Sequence, residues 1–182
     1  MQFTVDRELF KDMDNFEKDK LCVISNSDYN KVMYSLTHRK ELREDRIEIR
    51  NLFIIRSTYS NMILQINSHN MLELEFLDPQ HEKIEGYFNV LFTFTNYLRE
   101  VASLKPQLMA KTDLKALGVL YNSEEDKIYN VMQLTVLDED IEEFKKSFSI
   151  KNMDWVKIVD LITSPYVCKF DKMLLSTLSI VK

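Results

Sequence analysis

The sequence is poor in small residues. Its 182 residues include only two glycines and three prolines, together with three alanines (Ala102, Ala110 and Ala116). Gly86 and Gly118 cannot build a Walker loop or a dinucleotide-binding fingerprint, because these phosphate-binding loops need two or three glycines in a fixed frame. The nucleophile elbow Gly-x-Ser-x-Gly is absent for the same reason. These absences remove the commonest nucleotide-dependent and hydrolase motifs and favour a binding protein over an enzyme.

Cysteines, a secretion signal and long apolar runs are also scarce or missing. Cys22 and Cys168 are the only cysteines, they form no Cys-x-x-Cys pair, and we expect both to be free thiols. The N-terminus has no basic segment followed by an apolar one, and no stretch approaches the ~18 apolar residues of a membrane span. We therefore expect a soluble cytoplasmic protein without a membrane association, and no cofactor motif is present.

The remaining composition is that of a globular protein. Hydrophobic residues make up 45% of the chain and charged residues 29%, with a net charge of −5, which excludes a disordered chain. The length suits a single domain over 1–182, with 105–113 as the only candidate for a subdivision. Residues encoded by AT-rich codons are abundant, which points to a low-GC bacterium or to a phage or other mobile element.

Two hairpins dominate the pattern of predicted strands. Alternating apolar residues predict a long strand that begins near Arg46. A hairpin is predicted with arms at 62–66 and 72–76 around the turn Ser68-His69-Asn70. A second hairpin is predicted from 114–121 and 127–137. Shorter strands are expected at 2–5 and 21–25.

Helix signals fall between and after these hairpins. Asp78-Pro79 is a strong helix start, and the apolar stripe beyond it predicts a long central amphipathic helix over about 79–104, ended by Pro106. Other helices are predicted from Asp6, from the N-cap Ser27, and further on from Asp138 and near 154, while the tail from 171 reads as helix or strand. The predicted fold class is α+β, with antiparallel hairpins in a meander packed against the long helix and further helices near both ends.

One polar cluster combines carboxylates with an imidazole. It comprises Glu73, Glu75, Asp78, His81 and Glu82. Oxygen ligands of this kind suit Mg²⁺ or Mn²⁺ in a nuclease or phosphoesterase. Each residue also has an ordinary explanation as a solvated strand face, a helix cap or a complement to a helix dipole. The main interpretation therefore includes no metal site and no catalytic residue.

Charge is distributed unevenly along the chain. Seven basic and four acidic residues lie between Lys31 and Arg56, and eight acidic residues with one lysine lie between Glu124 and Glu143. The candidate partner-binding residues form the acidic stretch, which consists of Glu124, Glu125, Asp126, Asp138, Glu139, Asp140, Glu142 and Glu143. The candidate nucleic-acid-binding residues are Arg39, Lys40, Arg43, Arg46 and Arg50. Two opposite stretches can steer different partners and also favour a homodimer.

These observations lead to one main functional hypothesis and two alternatives. The main hypothesis is a non-enzymatic inhibitor or accessory factor that occupies the surface of a protein partner, such as an anti-CRISPR or other anti-defence protein that blocks a nucleic-acid-handling complex, or a toxin-immunity protein. The first alternative is a nucleic-acid-binding factor that uses the arginine-rich stretch 39–56. The second alternative is a metal-dependent nuclease or phosphoesterase at Glu73, Glu75, Asp78 and His81.

Overall fold

The structure is a computed structural model that describes residues 2–39, 43–76 and 86–180. Nine strands lie in these ranges: β1 (Gln2–Asp6), β2 (Leu21–Cys22), β3 (Thr37–Arg39), β4 (Arg46–Ser57), β5 (Met62–Ile66), β6 (Leu72–Leu74), β7 (Asp113–Asn122), β8 (Lys127–Val136) and β9 (Met153–Lys157). The described α-helices are α1 (Asn26–Tyr34), α2 (Gly86–Asn96), α3 (Pro106–Met109), α4 (Ile141–Ser147), α5 (Ile158–Thr163) and α6 (Lys169–Ile180). A π-helical segment, Tyr97–Val101, continues α2.

The chain folds into two compact units, each assembled from three separate stretches of sequence. The first unit comprises Met1–Leu52, Glu73–Thr95 and Leu117–Val131. The second comprises Phe53–Leu72, Asn96–Ala116 and Met132–Lys182. The prediction of a single domain over 1–182 stays a prediction.

The first unit is built on a sheet in which strands distant in sequence are neighbours. Its strand order is β2-β7-β8-β4-β1-β3. Strand β1 pairs antiparallel with β4, with Val5 opposite Ile47, and β2 pairs antiparallel with β7, with Cys22 opposite Val119. Val5 and Val119 are fully buried and Ile47 nearly so, as expected for one face of a sheet that covers a core.

The second unit contains a smaller strand arrangement covered by helices. Strand β5 pairs antiparallel with β9 along its whole length, from Met62 opposite Lys157 to Ile66 opposite Met153. Strand β5 also pairs with the end of β4 at Arg56. The indole N–H of Trp155 on β9 donates to the carbonyl of Ile141 at 2.9 Å, which ties the strand to the start of α4.

The α+β fold class predicted from the sequence is confirmed. The long strand near Arg46 and the hairpin β7–β8 are present in the structure, and the tail, which the sequence left open between helix and strand, is helix α6. The long central helix predicted over about 79–104 is not confirmed: the chain is α-helical over Gly86–Asn96 and π-helical over Tyr97–Val101, and the predicted start at 79–85 lies outside the described residues. Pro106 does not end this helix, because the helix has already ended at Val101 and Pro106 begins α3.

Three local predictions differ from the structure. The predicted hairpin partners, β5 and β6, both pair with β4 in the described part of the chain, because the two edges of β5 are taken by β4 and β9. The helix predicted near Asp154 is strand β9 up to Lys157, and α5 starts only at Ile158. Pairing with β5 therefore overrides the capping signal of the aspartate.

The two helices predicted near the N-terminus differ from the structure in length or in starting residue. The segment after Asp6 forms a single 3-10 turn, Arg7–Phe10. The N-cap of α1 is Ser25, whose hydroxyl accepts from the Asp28 N–H, and not Ser27.

In the described ranges, no helix combines the length and the apolar composition that crossing a bilayer requires.

Candidate functional site

The sheet of the first unit carries charged side chains at alternating positions of two strands. Glu48 and Arg50 lie two residues apart on β4, so both project from the same side of the strand. The guanidinium of Arg50 donates through Nε to Glu48 Oε1 at 3.0 Å and through Nη1 to Glu73 Oε1 at 2.6 Å. Arg50 therefore joins a carboxylate of its own strand to one on β6.

Strand β8 supplies the second cation of this group. The ammonium of Lys127 lies 3.7 Å from Glu48 Oε2 and 3.7 Å from Glu125 Oε2. The hydroxyl of Tyr129 donates to the same Glu125 oxygen at 2.9 Å. We call these six residues, Glu48, Arg50, Glu73, Glu125, Lys127 and Tyr129, the charge cluster.

Burial divides the charge cluster into an inner and an outer part. The Glu48 side chain is 10% exposed and the Lys127 side chain 23%, whereas those of Glu73 and Glu125 are 46% and 49% exposed. The two oxygens of Glu48 each face a different cation. Glu48 therefore holds Arg50 and Lys127 next to each other. The more exposed carboxylates each pair with one of these cations, Glu73 with Arg50 and Glu125 with Lys127.

The electrostatics of the cluster keep Arg50 charged. Burial alone would lower the pKa of Arg50, but its hydrogen bonds to Glu73 and Glu48 outweigh that effect and raise the pKa above its ordinary value. Burial is the main reason why the pKa of Tyr129 is raised, and the hydrogen bond to Glu125 raises it further. At neutral pH Tyr129 is therefore a donor to Glu125.

A second ionic group in the first unit joins the N-terminal segment to the β7–β8 turn. Arg7 donates to both carboxylate oxygens of Asp126, and the Tyr121 hydroxyl donates to Asp126 Oδ1 at 2.6 Å. The hydrogen bond from Arg7 is the largest cause that lowers the pKa of Asp126 to about 2. This group fastens two segments and presents no free cation to a ligand.

The predicted nucleic-acid-binding residues are largely engaged within the chain. The Arg46 guanidinium donates to the Thr4 hydroxyl, at 3.2 Å, and to the carbonyls of Thr4 and Ser35. Arg50 belongs to the charge cluster, and Arg43 is exposed. Arg39 ends β3, and Lys40 lies outside the described residues. This site prediction stays a prediction.

The predicted acidic partner-binding residues fall into both units. Glu124, Glu125 and Asp126 occupy the β7–β8 turn of the first unit, and the other five, from Asp138 to Glu143, belong to the second unit. In the second unit, Asp138 accepts from the Tyr59 N–H at 3.0 Å. Asp140 is buried beside Lys111 at 3.5 Å, while Glu142 and Glu143 are exposed. The acidic stretch likewise stays a prediction as a binding surface.

The predicted metal ligands are only partly within the described residues. Glu73 is held by Arg50, Glu75 is exposed directly after β6, and Asp78, His81 and Glu82 lie outside the described ranges. In the part of the chain that the structure describes, no group of three or more His, Cys, Asp or Glu side chains is arranged to hold a metal ion. The partner that the structure gives to Glu73 is the guanidinium of Arg50.

Sequence reasoning found Glu73, Glu125 and Arg50 but assigned them to three different sites. It missed Glu48, Lys127 and Tyr129. The signal that could have found them is the strand alternation: Glu48 with Arg50, and Lys127 with Tyr129, are polar pairs at i and i+2 in strands that are otherwise mostly buried. Charged residues on one side of a core strand indicate a polar site on that side of the sheet.

The fold itself resembles a solved structure over the complete chain. No protein-family model matches the sequence, and no curated protein matches it either. The crystal structure of Tm1382, described as "a putative Nudix hydrolase", superimposes with a TM-score of 0.71 and 12% sequence identity. The match covers 100% of this chain and 99% of the other. The two chains thus share an α+β fold.

This likeness contradicts the main functional hypothesis. A non-enzymatic inhibitor, whether anti-CRISPR, another anti-defence protein or a toxin-immunity protein from a phage or mobile element, is not what the fold comparison supports. The prediction that the chain is not an enzyme is wrong on the same ground. The reasoning failed because scarce glycine excludes only glycine-dependent loops. It does not exclude a site built from carboxylates and cations on sheet strands.

Proposed function

We propose that this chain is a hydrolase that cleaves phosphate esters or phosphoanhydrides, with the charge cluster as its substrate-binding site. The observation that carries this proposal is the whole-length likeness to a protein described as a hydrolase. Because one fold can host unrelated activities, the likeness is an argument by analogy. The charge cluster adds an argument from chemistry in the chain itself.

Arg50 and Lys127 are the residues suited to bind the phosphate groups. A guanidinium binds two phosphate oxygens at once, and a lysine ammonium acts as a compact point charge. Both cations pair with Glu48, and each also pairs with a partly exposed carboxylate: Arg50 with Glu73, and Lys127 with Glu125. A phosphate group arriving there meets two cations whose separation is already set.

A carboxylate near this site would activate the attacking water. In the hydrolysis, water attacks phosphorus, the base accepts a proton from that water, and the bond from phosphorus to the leaving oxygen breaks. Glu75 is our candidate for this base, because it is exposed next to β6 while Glu73 is engaged by Arg50. The metal-dependent form of this reaction, with Glu73, Glu75, Asp78 and His81, remains the alternative that the assay below includes.

The proposal is tested by a hydrolysis assay on the purified chain. Nucleoside triphosphates, pyrophosphate-linked conjugates and phosphomonoesters are incubated with Mg²⁺, with Mn²⁺ or with a chelator. The products are separated by chromatography and quantified, because cleavage of a pyrophosphate linkage between two organic groups gives two phosphomonoesters and no free phosphate. We expect turnover of at least one class, a loss of about 10²-fold or more in kcat for Glu75→Gln, and a raised KM for Lys127→Met.

Lys20→Met is the matched control for the lysine variant. Lys20 is an exposed lysine of the same unit, paired with Glu17 at 2.7 Å, so the substitution removes the same charge away from the cluster. Hydrolysis should be unchanged in this control. Absence of turnover on every substrate class, or equal rates in wild type and Glu75→Gln, would contradict the proposal.

Two further expectations from the sequence accompany this proposal. We propose that the hydrolase works in the cytoplasm and that it self-associates as a homodimer. Sedimentation of the purified protein measures the second property, and a monomer at all concentrations would contradict it.

A further inference from the structure

The two cations of the charge cluster have partners of two different kinds. Their shared inner partner, Glu48, is nearly buried and makes a hydrogen bond of 3.0 Å to Arg50. Their outer partners, Glu73 and Glu125, are about half exposed and come from elements other than β4. Each cation thus has one carboxylate on the inside and one toward solvent.

The inner and outer pairs differ in how easily they can be broken. Ion pairs whose carboxylate is about half exposed contribute little, because water replaces the lost partner of that carboxylate at small cost. Removing a cation from a buried carboxylate leaves an uncompensated charge and costs much more. An incoming anion can therefore displace Glu73 and Glu125 from the cations, but it cannot displace Glu48.

Glu125 has a further partner that makes its release easier. The Tyr129 hydroxyl donates to Glu125 Oε2 at 2.9 Å, whereas the Lys127 ammonium lies 3.7 Å from that oxygen. When Glu125 gives up Lys127, it keeps the phenol as a hydrogen-bond donor. Lys127 then becomes available while Glu125 remains satisfied.

We propose that Glu73 and Glu125 act as internal competitors of the anionic ligand. They hold Arg50 and Lys127 in the free protein and are exchanged for ligand oxygens on binding, while Glu48 keeps the two cations in place. The ligand chemistry that fits is an anion with two charged oxygen groups, such as a pyrophosphate group. The inference rests on the proposed function for the identification of this anion as part of the substrate.

The proposed competition predicts in which direction the affinity for the anion changes when a carboxylate is removed. Removing the charge of an internal competitor should tighten anion binding, whereas removing the inner carboxylate should weaken it by releasing the cations from their positions. We expect Glu73→Gln and Glu125→Gln to bind pyrophosphate about two- to fivefold more tightly than wild type, the range that corresponds to a surface ion pair.

Isothermal titration calorimetry with pyrophosphate, at constant low ionic strength and without metal, measures these changes. Glu17→Gln is the control, because Glu17 pairs with Lys20 on the surface of the same unit and its loss changes the net charge equally. The inference predicts an unchanged Kd for this control. Tightening of the same size in Glu17→Gln would show a general charge effect and overturn the inference.

Four other outcomes decide the matter. Unchanged or weaker binding in both Glu73→Gln and Glu125→Gln overturns the inference, as does absence of pyrophosphate binding in wild type and in both variants. Tighter binding in the two variants supports it even if Glu48→Gln fails to fold, since both outer residues are exposed. If the affinities change as expected but no substrate is hydrolysed, the proposed function fails and the anion site stands.

Discussion

Arg7 and Asp126 form a two-pronged ion pair across 119 positions of sequence, with N–O distances of 3.0 and 2.8 Å. The same carboxylate accepts the Tyr121 hydroxyl at 2.6 Å. The Arg7 backbone N–H donates in addition to the carbonyl of Asp45 at 3.0 Å. Asp126 therefore connects the N-terminal segment with the β7–β8 turn.

This pair predicts a loss of stability in acid. The hydrogen bond from Arg7, followed by that from Tyr121, lowers the pKa of Asp126 from 3.8 to about 2. A carboxyl with a lowered pKa stabilises the fold above its ordinary pKa, and the contribution disappears as the pH falls from about 4 toward 2. Because the Asp126 side chain is 48% exposed, the effect should stay within about 1 kcal/mol.

The measurement is the unfolding midpoint of wild type and Asp126→Asn between pH 5 and pH 2. Asp126 has a positive φ of 52°, a conformation that asparagine also tolerates, so the substitution removes the charge and leaves the turn intact. The two unfolding curves should converge at the acid end. A constant difference across this range would show that the ion pair does not contribute as described.

The close packing around Gly118 predicts that adding a single methyl group there lowers the stability of the fold. A Cβ at this position would lie 2.2 Å from the carbonyl oxygen of Cys22, and the residue has a φ of +153°. Gly118→Ala must push β2 away from β7, so we expect a loss of about 1–3 kcal/mol from overpacking, with backbone strain added. Urea unfolding measures the loss. Ala116→Val, at an exposed position of the same strand, should change stability far less.

The buried pair Asn51 and Asn130 predicts strong coupling between two substitutions. Asn130 Nδ2 donates to Asn51 Oδ1 at 3.0 Å, and both residues are fully buried. In the described structure the other amide atoms, Asn51 Nδ2 and Asn130 Oδ1, have no hydrogen-bond partner. Replacing one asparagine with leucine should destabilise by about 1–3 kcal/mol, because it leaves a buried amide unsatisfied.

The double variant Asn51→Leu/Asn130→Leu should recover much of that loss, because no buried amide remains. A double-mutant cycle in urea separates the coupling from the individual effects. Simple additivity of the two single losses would contradict the description of these residues as one polar unit.

Arg46 predicts that a substitution which keeps the charge still damages the fold. Its guanidinium reaches the backbone of Thr4 and Ser35 and the hydroxyl of Thr37. A lysine cannot reproduce this fan of hydrogen bonds, so Arg46→Lys should cost about 1–3 kcal/mol of unfolding free energy. Thermal unfolding measures the cost, and Arg43→Lys, at an exposed position, serves as the control.

Local patterns predicted much of this fold because they report local physics. The alternation from Arg46 onward reflects a strand with two different faces, and two members of the predicted helical stripe, Phe94 and Leu98, are buried. The pairing of β5 with β9 was not predictable in this way. It joins segments about ninety residues apart, and Asp154 resembles a helix cap when only its neighbours in sequence are considered.

The candidate site was harder to predict because its residues come from three strands and a turn. Glu48 and Lys127 have no common sequence motif and meet only through the neighbouring positions of β4 and β8. Sequence proximity instead grouped Arg50 with other arginines and Glu125 with other acids. In the structure these two residues belong to the same group of alternating charges, the charge cluster.

Trp155, the only tryptophan of the chain, is an internal fluorescent reporter confined to the second unit. Its indole N–H is bonded to the Ile141 carbonyl, so its emission should shift when β9 separates from α4. The second signal is the binding of pyrophosphate at the charge cluster, measured by calorimetry at each denaturant concentration, and it reports on the first unit. Following both signals through one denaturant titration would show whether the chain unfolds in one transition or two, without adding any label.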